Sequence, residues 1–182
     1  MARIALMFAN GTEEVEALTV VDLVRRAGID CSIVSVTGKR EALSSHNVLI
    51  TADETIEEHD FSKDDMLVFP GGMPGTNNVE AHPLVQKAIK EAAAADKYLA
   101  AICAAPKILA HAGLLKGRKA GIYPGMEAEL EGSKVSYDSV SVDGKFITSR
   151  GLGTAIDFGL KIIETLTDKE TADKIAKAVV YR

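Results

Sequence analysis

The chain has 182 residues, 47% of them hydrophobic and 26% charged, with a formal net charge of −5. That supply of apolar side chains supports one packed domain over 1–182 and excludes disorder, while mild acidity without a basic stripe excludes a specific nucleic-acid surface. No apolar run reaches membrane-spanning length, the strand-like start at 3–8 is too short for a signal peptide, and Cys31 and Cys103 make no disulfide framework, so a reducing cytoplasmic setting is expected.

Residues 3–8 read as a buried first strand and 9–12 as a polar loop. A helix is predicted over about 13–27. Thr12 is placed to cap it, Glu13, Glu14 and Glu16 complement the dipole in its first turn, Arg25 and Arg26 sit in its last, and Gly28 ends it. Residues 31–36 read as a second strand, and 43–55 alternate like a small hairpin or excursion. A third core strand over 66–69 runs into Pro-Gly-Gly-Met-Pro-Gly at 70–75, followed by a helix over about 83–95.

The apolar run at 98–102 then reaches Cys103 and turns helical, with Pro106 suited to the helix's first turn. Short strands are predicted at 119–122, 135–137, 139–142 and 146–149, the last two joined by an Asp-Gly-Lys hairpin, and helices over 154–166 and 169–178 close the chain. The alternation of strand and helix predicts an α/β fold whose mostly parallel sheet carries helices on both faces. In such sheets ligands bind outside the carboxyl ends of the strands, so the loops at 9–12, 70–75, 102–106, 122–125 and 150–153 should converge.

Two of those loops lead to titratable groups at helix starts, Glu16 and Cys103. A thiol at a helix N-terminus is expected to ionise below the ordinary value of about 8.5, and Ala101 and Ala105 leave room for a sharp strand-to-helix turn. Glu16 shares an inward stripe with Val20, Leu23, Val24 and Ala27, whereas Glu14 lines up with Arg25. A carboxyl half buried beside a thiolate should have its pKa raised and serve as a proton donor; the plainer alternative is that all three glutamates only complement the helix dipole. Gly71 and Gly72 can offer backbone N–H groups to an oxyanion, with Ala104 as a second donor, although glycine pairs after strands are more often simple turns. Cys31 reads as a core thiol. His59, His82 and His111 read as surface residues, and His46 falls in the excursion. No cluster has zinc spacing and Gly151-Leu-Gly153 is no phosphate fingerprint, so neither a metal nor a nucleotide cofactor is predicted.

Four segments together, Asn-Gly-Thr-Glu-Glu-Val-Glu at 10–16, Val-Phe-Pro-Gly-Gly at 68–72, Ala-Ala-Ile-Cys-Ala-Ala-Pro at 100–106 and Thr-Ser-Arg-Gly-Leu-Gly-Thr at 148–154, resemble the ThiJ/PfpI superfamily. The similarity is to its parkinsonism-associated deglycase branch and bacterial YajL-type members, and it runs nearly end to end. It implies a flavodoxin-like doubly wound sandwich, a homodimer and a site without cofactors. It also implies roles: Cys103 as the reactive, oxidation-prone cysteine, Glu16 as its protonated partner, and the backbones of Gly72 and Ala104 as the oxyanion site. The chain departs from many relatives in carrying Tyr123 where a histidine stands, so Tyr123 becomes a wall of the site and not a base. His46 replaces a frequent arginine, Ser44 a peripheral cysteine and Leu152 a proline.

The resemblance leaves two function classes open. One is a glutathione-independent glyoxalase or deglycase acting on methylglyoxal, glyoxal or glycated proteins through Cys103. The other is a redox-responsive stress protein with chaperone-like activity, switched by oxidation of Cys103. A glutaminase of the class I amidotransferase type needs a downstream His-x-Glu that does not follow Cys103. The superfamily's peptidases place a histidine where this chain has Ala104.

Overall fold

The structure is a computed structural model and describes residues 1–181. Its centre is a seven-stranded sheet in the order β10-β11-β7-β6-β1-β2-β5. The strands are β1 (Arg3–Phe8), β2 (Asp30–Ser35), β5 (Glu54–Thr55), β6 (Met66–Phe69), β7 (Tyr98–Ile102), β10 (Val140–Asp143) and β11 (Phe146–Ser149). All neighbours pair in parallel except β10 and β11, whose antiparallel register matches Asp143 with Phe146 across the predicted tight turn. The parallel core therefore winds outward in both directions from β1 and β6, the doubly wound arrangement that opens a crevice between the loops after those two strands.

Alternation along each central strand makes this sheet two-sided. Ile4, Leu6 and Phe8 of β1 pack on one face with Val20 and Leu23 of α1 (Glu14–Arg26) and with Phe158 and Ile162 of α5 (Ala155–Leu166), backed by α6 (Lys169–Ala178). Ala5 and Met7 pack on the other face with Val85 and Ile89 of α3 (Pro83–Ala94) and Ile108 and Leu109 of α4 (Pro106–His111). Each central strand is thus covered on both sides, which explains why it reads as an unbroken apolar run.

The predicted excursion resolves into a hairpin of β3 (Glu41–Leu43) and β4 (Leu49–Thr51) beside the sheet, after which β5 joins the sheet edge next to β2. A further helix, α2 (Gly75–Ala81), was not expected from the sequence and follows the glycine loop directly. The strands expected near 119–122 and 135–137 shorten to β8 (Lys119–Ala120) and β9 (Lys134–Val135), which pair with each other away from the main sheet. Among the described residues no helix is long and apolar enough to cross a membrane.

Candidate active site

The loops at the carboxyl ends of the strands interlock through backbone hydrogen bonds. Gly75 N–H donates to Gly11 O (3.1 Å), Glu13 N–H to Gly71 O (2.9 Å), Cys103 N–H to Ser149 O (3.1 Å) and Tyr123 N–H to Cys103 O (2.9 Å). Cys103 is the residue on which this convergence bears most. It follows β7 immediately and holds φ at +63°, in the left-handed region that non-glycine residues rarely occupy. That conformation costs on the order of 1–3 kcal/mol and persists where its surroundings over-determine it. Here the carbonyl of Ser149 accepts from the N–H of Cys103 and the N–H of Tyr123 donates to its carbonyl, fixing the peptide units on both sides of the residue, while buried Ala104 and Ala105 carry the chain into α4. The result is the expected elbow, with the thiol partly buried at its apex.

Glu16 meets that thiol from the first turn of α1. Its side chain points inward as the helical stripe predicts, and the residue is 1% exposed. One carboxyl oxygen accepts from Gly71 N–H at 2.8 Å, and the carboxyl is also hydrogen-bonded to the Cys103 thiol. Burial pushes the Glu16 carboxyl up to about 7, outweighing the opposing hydrogen bonds from Gly71 and Cys103, and the nearby charge of Glu13 adds to the rise.

The expectation of a thiol ionising below 8.5 is corrected. Burial and the adjacent Glu16 carboxylate push Cys103 up to about 12, and the N–H groups of Gly72 and Ala104, both aimed at the sulfur, only partly offset this. A dipole argument made from sequence omits the desolvation that the surrounding loops impose. The two groups titrate as a pair: the first proton leaves near neutrality and the second only at high pH, so one negative charge is shared between sulfur and carboxyl across the intervening range. In one of the two arrangements of that charge, Cys103 is a thiolate and Glu16 its hydrogen-bond donor.

The glycine pair is required by close approach. A Cβ at Gly71 would lie 2.5 Å from Cys103 Cβ, 2.8 Å from Glu16 Oε2 and 3.0 Å from Cys103 Sγ, so only glycine lets the strand end pass beside both groups. Gly72 has φ of +89°, and a Cβ there would fall onto the backbone N of Glu13 and 2.7 Å from Gly11 O.

The helix cap differs from the expected one. Glu13, not Thr12, caps α1, its Oε2 accepting from Glu16 N–H at 2.7 Å, while Thr12 Oγ1 accepts from Ala9 N–H at 2.9 Å and ties the loop instead. The cap therefore fixes the backbone of the residue that carries the buried carboxyl.

Tyr123 stands half exposed at the rim, its ring beside Gly151 and its N–H holding the elbow. The histidines are engaged elsewhere. His46 lies against Glu13 and Glu14, and His111 bridges Glu80 (2.6 Å) and Glu129 (3.0 Å) on the surface. His82 caps the start of α3 by position. His59, expected on the surface, is instead buried, with Nδ1 3.1 Å from Glu54 and Nε2 2.8 Å from Asp64. Burial works against its protonation, but the hydrogen bond and charge of Asp64, with Glu54 beyond, win and raise its pKa. Cys31 is buried on β2 and pushed up to about 12 by desolvation, as a core thiol should be.

The sequence profile of the DJ-1/PfpI family matches residues 2–165. The chain belongs to that family. It is 36% identical over 183 residues to Protein dj-1beta of Drosophila melanogaster, covering 99% of this chain and 98% of that one. It is 30% identical over 189 residues to the glutathione-independent glyoxalase DJ-1 of Schizosaccharomyces pombe, covering 98% of each. The structure superposes on oxidized DJ-1 of Toxoplasma gondii with a TM-score of 0.96 at 35% identity, covering 100% of this chain and 99% of the other. The residues expected to form the site, Glu16, Gly71, Gly72, Cys103 and Ala104, converge on one sulfur atom, and Tyr123 joins them through its backbone.

Proposed function

We propose that the chain is a cofactor-independent glyoxalase acting on methylglyoxal or glyoxal, and on the early adducts these aldehydes form on proteins. The observation that carries this reading is the buried Glu16 carboxyl, raised to about 7 and hydrogen-bonded to the Cys103 thiol. The thiolate adds to the aldehyde carbon, and the developing alkoxide sits against the N–H groups of Gly72 and Ala104, which already point at the sulfur. Glu16 delivers its proton to that oxygen, giving a hemithioacetal. As a carboxylate it then removes the proton on the former aldehyde carbon and returns one to the neighbouring carbon, leaving a thioester that water cleaves to lactate or glycolate and free Cys103. The sum is aldehyde plus water to hydroxy acid, with no external oxidant and no glutathione. The glyoxalase naming of the fission-yeast relative supports this substrate class.

A second reading is favoured by the likeness to the oxidized Toxoplasma protein. Peroxide would convert the Cys103 thiolate to a sulfinate, and protonated Glu16 would donate to one of its oxygens, making the chain a redox-responsive stress protein with chaperone-like activity in the cytoplasm. A homodimer fits either reading. Val15 and Leu18 on α1, with Leu43, Val48 and Leu49 of the hairpin, stand exposed as apolar surface of the kind a second copy covers.

The deciding experiment measures lactate formed from methylglyoxal without glutathione. Cys103→Ser should abolish it, and unchanged turnover by that variant removes the proposal. Intact mass after mild peroxide tests the second reading: Cys103 should gain two oxygens, and retention of the reduced mass counts against it.

A further inference from the structure

Opposite the Cys103 elbow, at the amino ends of β7 and β11, the surface opens into a cavity of about 640 Å³. Lys97 just before β7, Lys116 and Arg118 beyond α4, and Lys145 just before β11 all line it. Parallel pairing of the two strands brings these loops together, with Leu99 N–H donating to Lys145 O at 2.9 Å. Neutral groups hold most of the cations. Arg118 lies over the Phe146 ring, 4.7 Å from its centroid, and Lys145 Nζ lies over the Tyr98 ring at 4.2 Å. Lys97 Nζ donates to Phe61 O at 3.0 Å and Ser62 O at 2.8 Å, acceptors that anchor it without cancelling its charge. Lys116 makes no ion pair among the described residues. Two carboxylates oppose the four cations. Asp143 meets Arg118 at 3.2 Å with one oxygen and accepts from Lys119 N–H with the other. Asp96 meets Lys145 at 3.4 Å, but its side chain is 82% exposed, where such a pair contributes little. Two positive charges are left in excess, in a chain whose net charge is −5.

We propose that this cavity binds an oligophosphate anion, a diphosphate or triphosphate group either free or carried by a small molecule. Excess charge spread over four side chains matches linked phosphoryl groups better than a single carboxylate. Lysine serves phosphate as a mobile point charge, and Arg118 keeps guanidinium N–H groups beyond the one given to Asp143. The volume falls in the range of small-molecule sites. Helix C-termini, which attract cations, do not account for the cluster. The last carbonyls of α3, on Glu91, Ala92 and Ala93, accept from Ala95, Lys97 and Asp96 N–H groups, and those of Leu109 and Ala110 in α4 accept from Leu114 and Gly113. Glycine turns keep the mouth open: a Cβ at Gly144, whose φ is +60°, would lie 3.2 Å from Arg118 Nη1, and Gly113 faces empty space. Linear spacing does not reveal the set because each cation stands in, or next to, a loop whose neighbours are fixed by the pairing of β7 with β11. The site lies at the opposite end of the strands from Cys103 and takes no part in the carbonyl chemistry.

The test is titration calorimetry of the full chain with sodium pyrophosphate at low ionic strength. One pyrophosphate per chain should bind, and orthophosphate, which spans fewer of the cations, should bind at least about tenfold more weakly. Lys116→Ala and Lys145→Ala should each weaken pyrophosphate binding by about tenfold, the loss of one charge-assisted contact. Lys169→Ala removes the same charge from α6, outside the cavity, and should change nothing. Methylglyoxal turnover should be the same in all three variants, so the outcome is independent of the function proposed above. ADP in place of pyrophosphate separates the sources: binding of both assigns the site to a carried diphosphate, and binding of pyrophosphate alone assigns it to the free anion. Absence of saturable pyrophosphate binding, equal affinity for orthophosphate, or equal weakening by Lys169→Ala overturns the assignment.

Discussion

Glu16→Gln isolates the cost of the buried carboxyl. The variant keeps an oxygen for Gly71 N–H and nearly the same volume, but cannot ionise. In wild type the folded-state carboxyl is raised from 4.5 to about 7. Because the folded value is the higher one, its favourable contribution is fully present below the unfolded pKa and is lost as pH rises through the folded one. At 1.36 kcal/mol per unit, the completed loss is about 3 kcal/mol, of which roughly 2.5 kcal/mol falls between about pH 5 and pH 8. Urea unfolding at those two pH values should therefore show the stability of Glu16→Gln gaining on wild type by about that amount at the higher pH. The Cys103 thiol, pushed up to about 12 in the fold, contributes little change across this window. A difference between variant and wild type that stays constant with pH would refute the raised carboxyl and with it the proton donor.

Gly71→Ala should fold but lose activity by at least about a hundredfold, because its Cβ would lie 2.8 Å from Glu16 Oε2 and 3.0 Å from Cys103 Sγ; methylglyoxal turnover with a circular-dichroism control checks this. His59→Leu should destabilise the fold by about 2 kcal/mol in urea at about pH 6, since it takes from buried Asp64 the closer of its two ionic partners and leaves only Arg3, at 3.2 Å. The raised His59 pKa sets the direction with pH: its stabilisation is present below the unfolded value and is lost as pH rises through the folded one, so the variant's deficit should shrink on the alkaline side. Cys31→Ser should leave both methylglyoxal turnover and the number of fast-alkylating thiols unchanged, because Cys31 is buried and un-ionised.

The residues that sequence places correctly are those whose fate is set by near neighbours. Tyr98–Ile102 reads as a strand because every side chain in it is apolar and both sheet faces are covered. Glu16 reads as inward because helical period alone assigns it to the stripe of Val20 and Leu23. What escapes the sequence depends on distant partners. His59 sits among polar neighbours and looks exposed until Asp64 and Glu54 close around it. The helix α2 is missed because Gly-Thr-Asn-Asn has poor helix propensity, and its formation rests on Thr76 and Val79 being buried. The thiol's rise has the same origin: a helix start is visible locally, whereas the desolvation of Cys103 comes from four loops brought together by the fold.

The shared proton between Cys103 and Glu16 is tested most directly by the pH dependence of kcat/KM for methylglyoxal. The rate should rise with the first ionisation of the pair, giving an inflection near the value of about 7 to which Glu16 is raised, and Glu16→Gln should move that inflection upward because the thiol must then ionise without its proton acceptor. An inflection at the ordinary thiol value of about 8.5 in both wild type and Glu16→Gln would contradict the pairing.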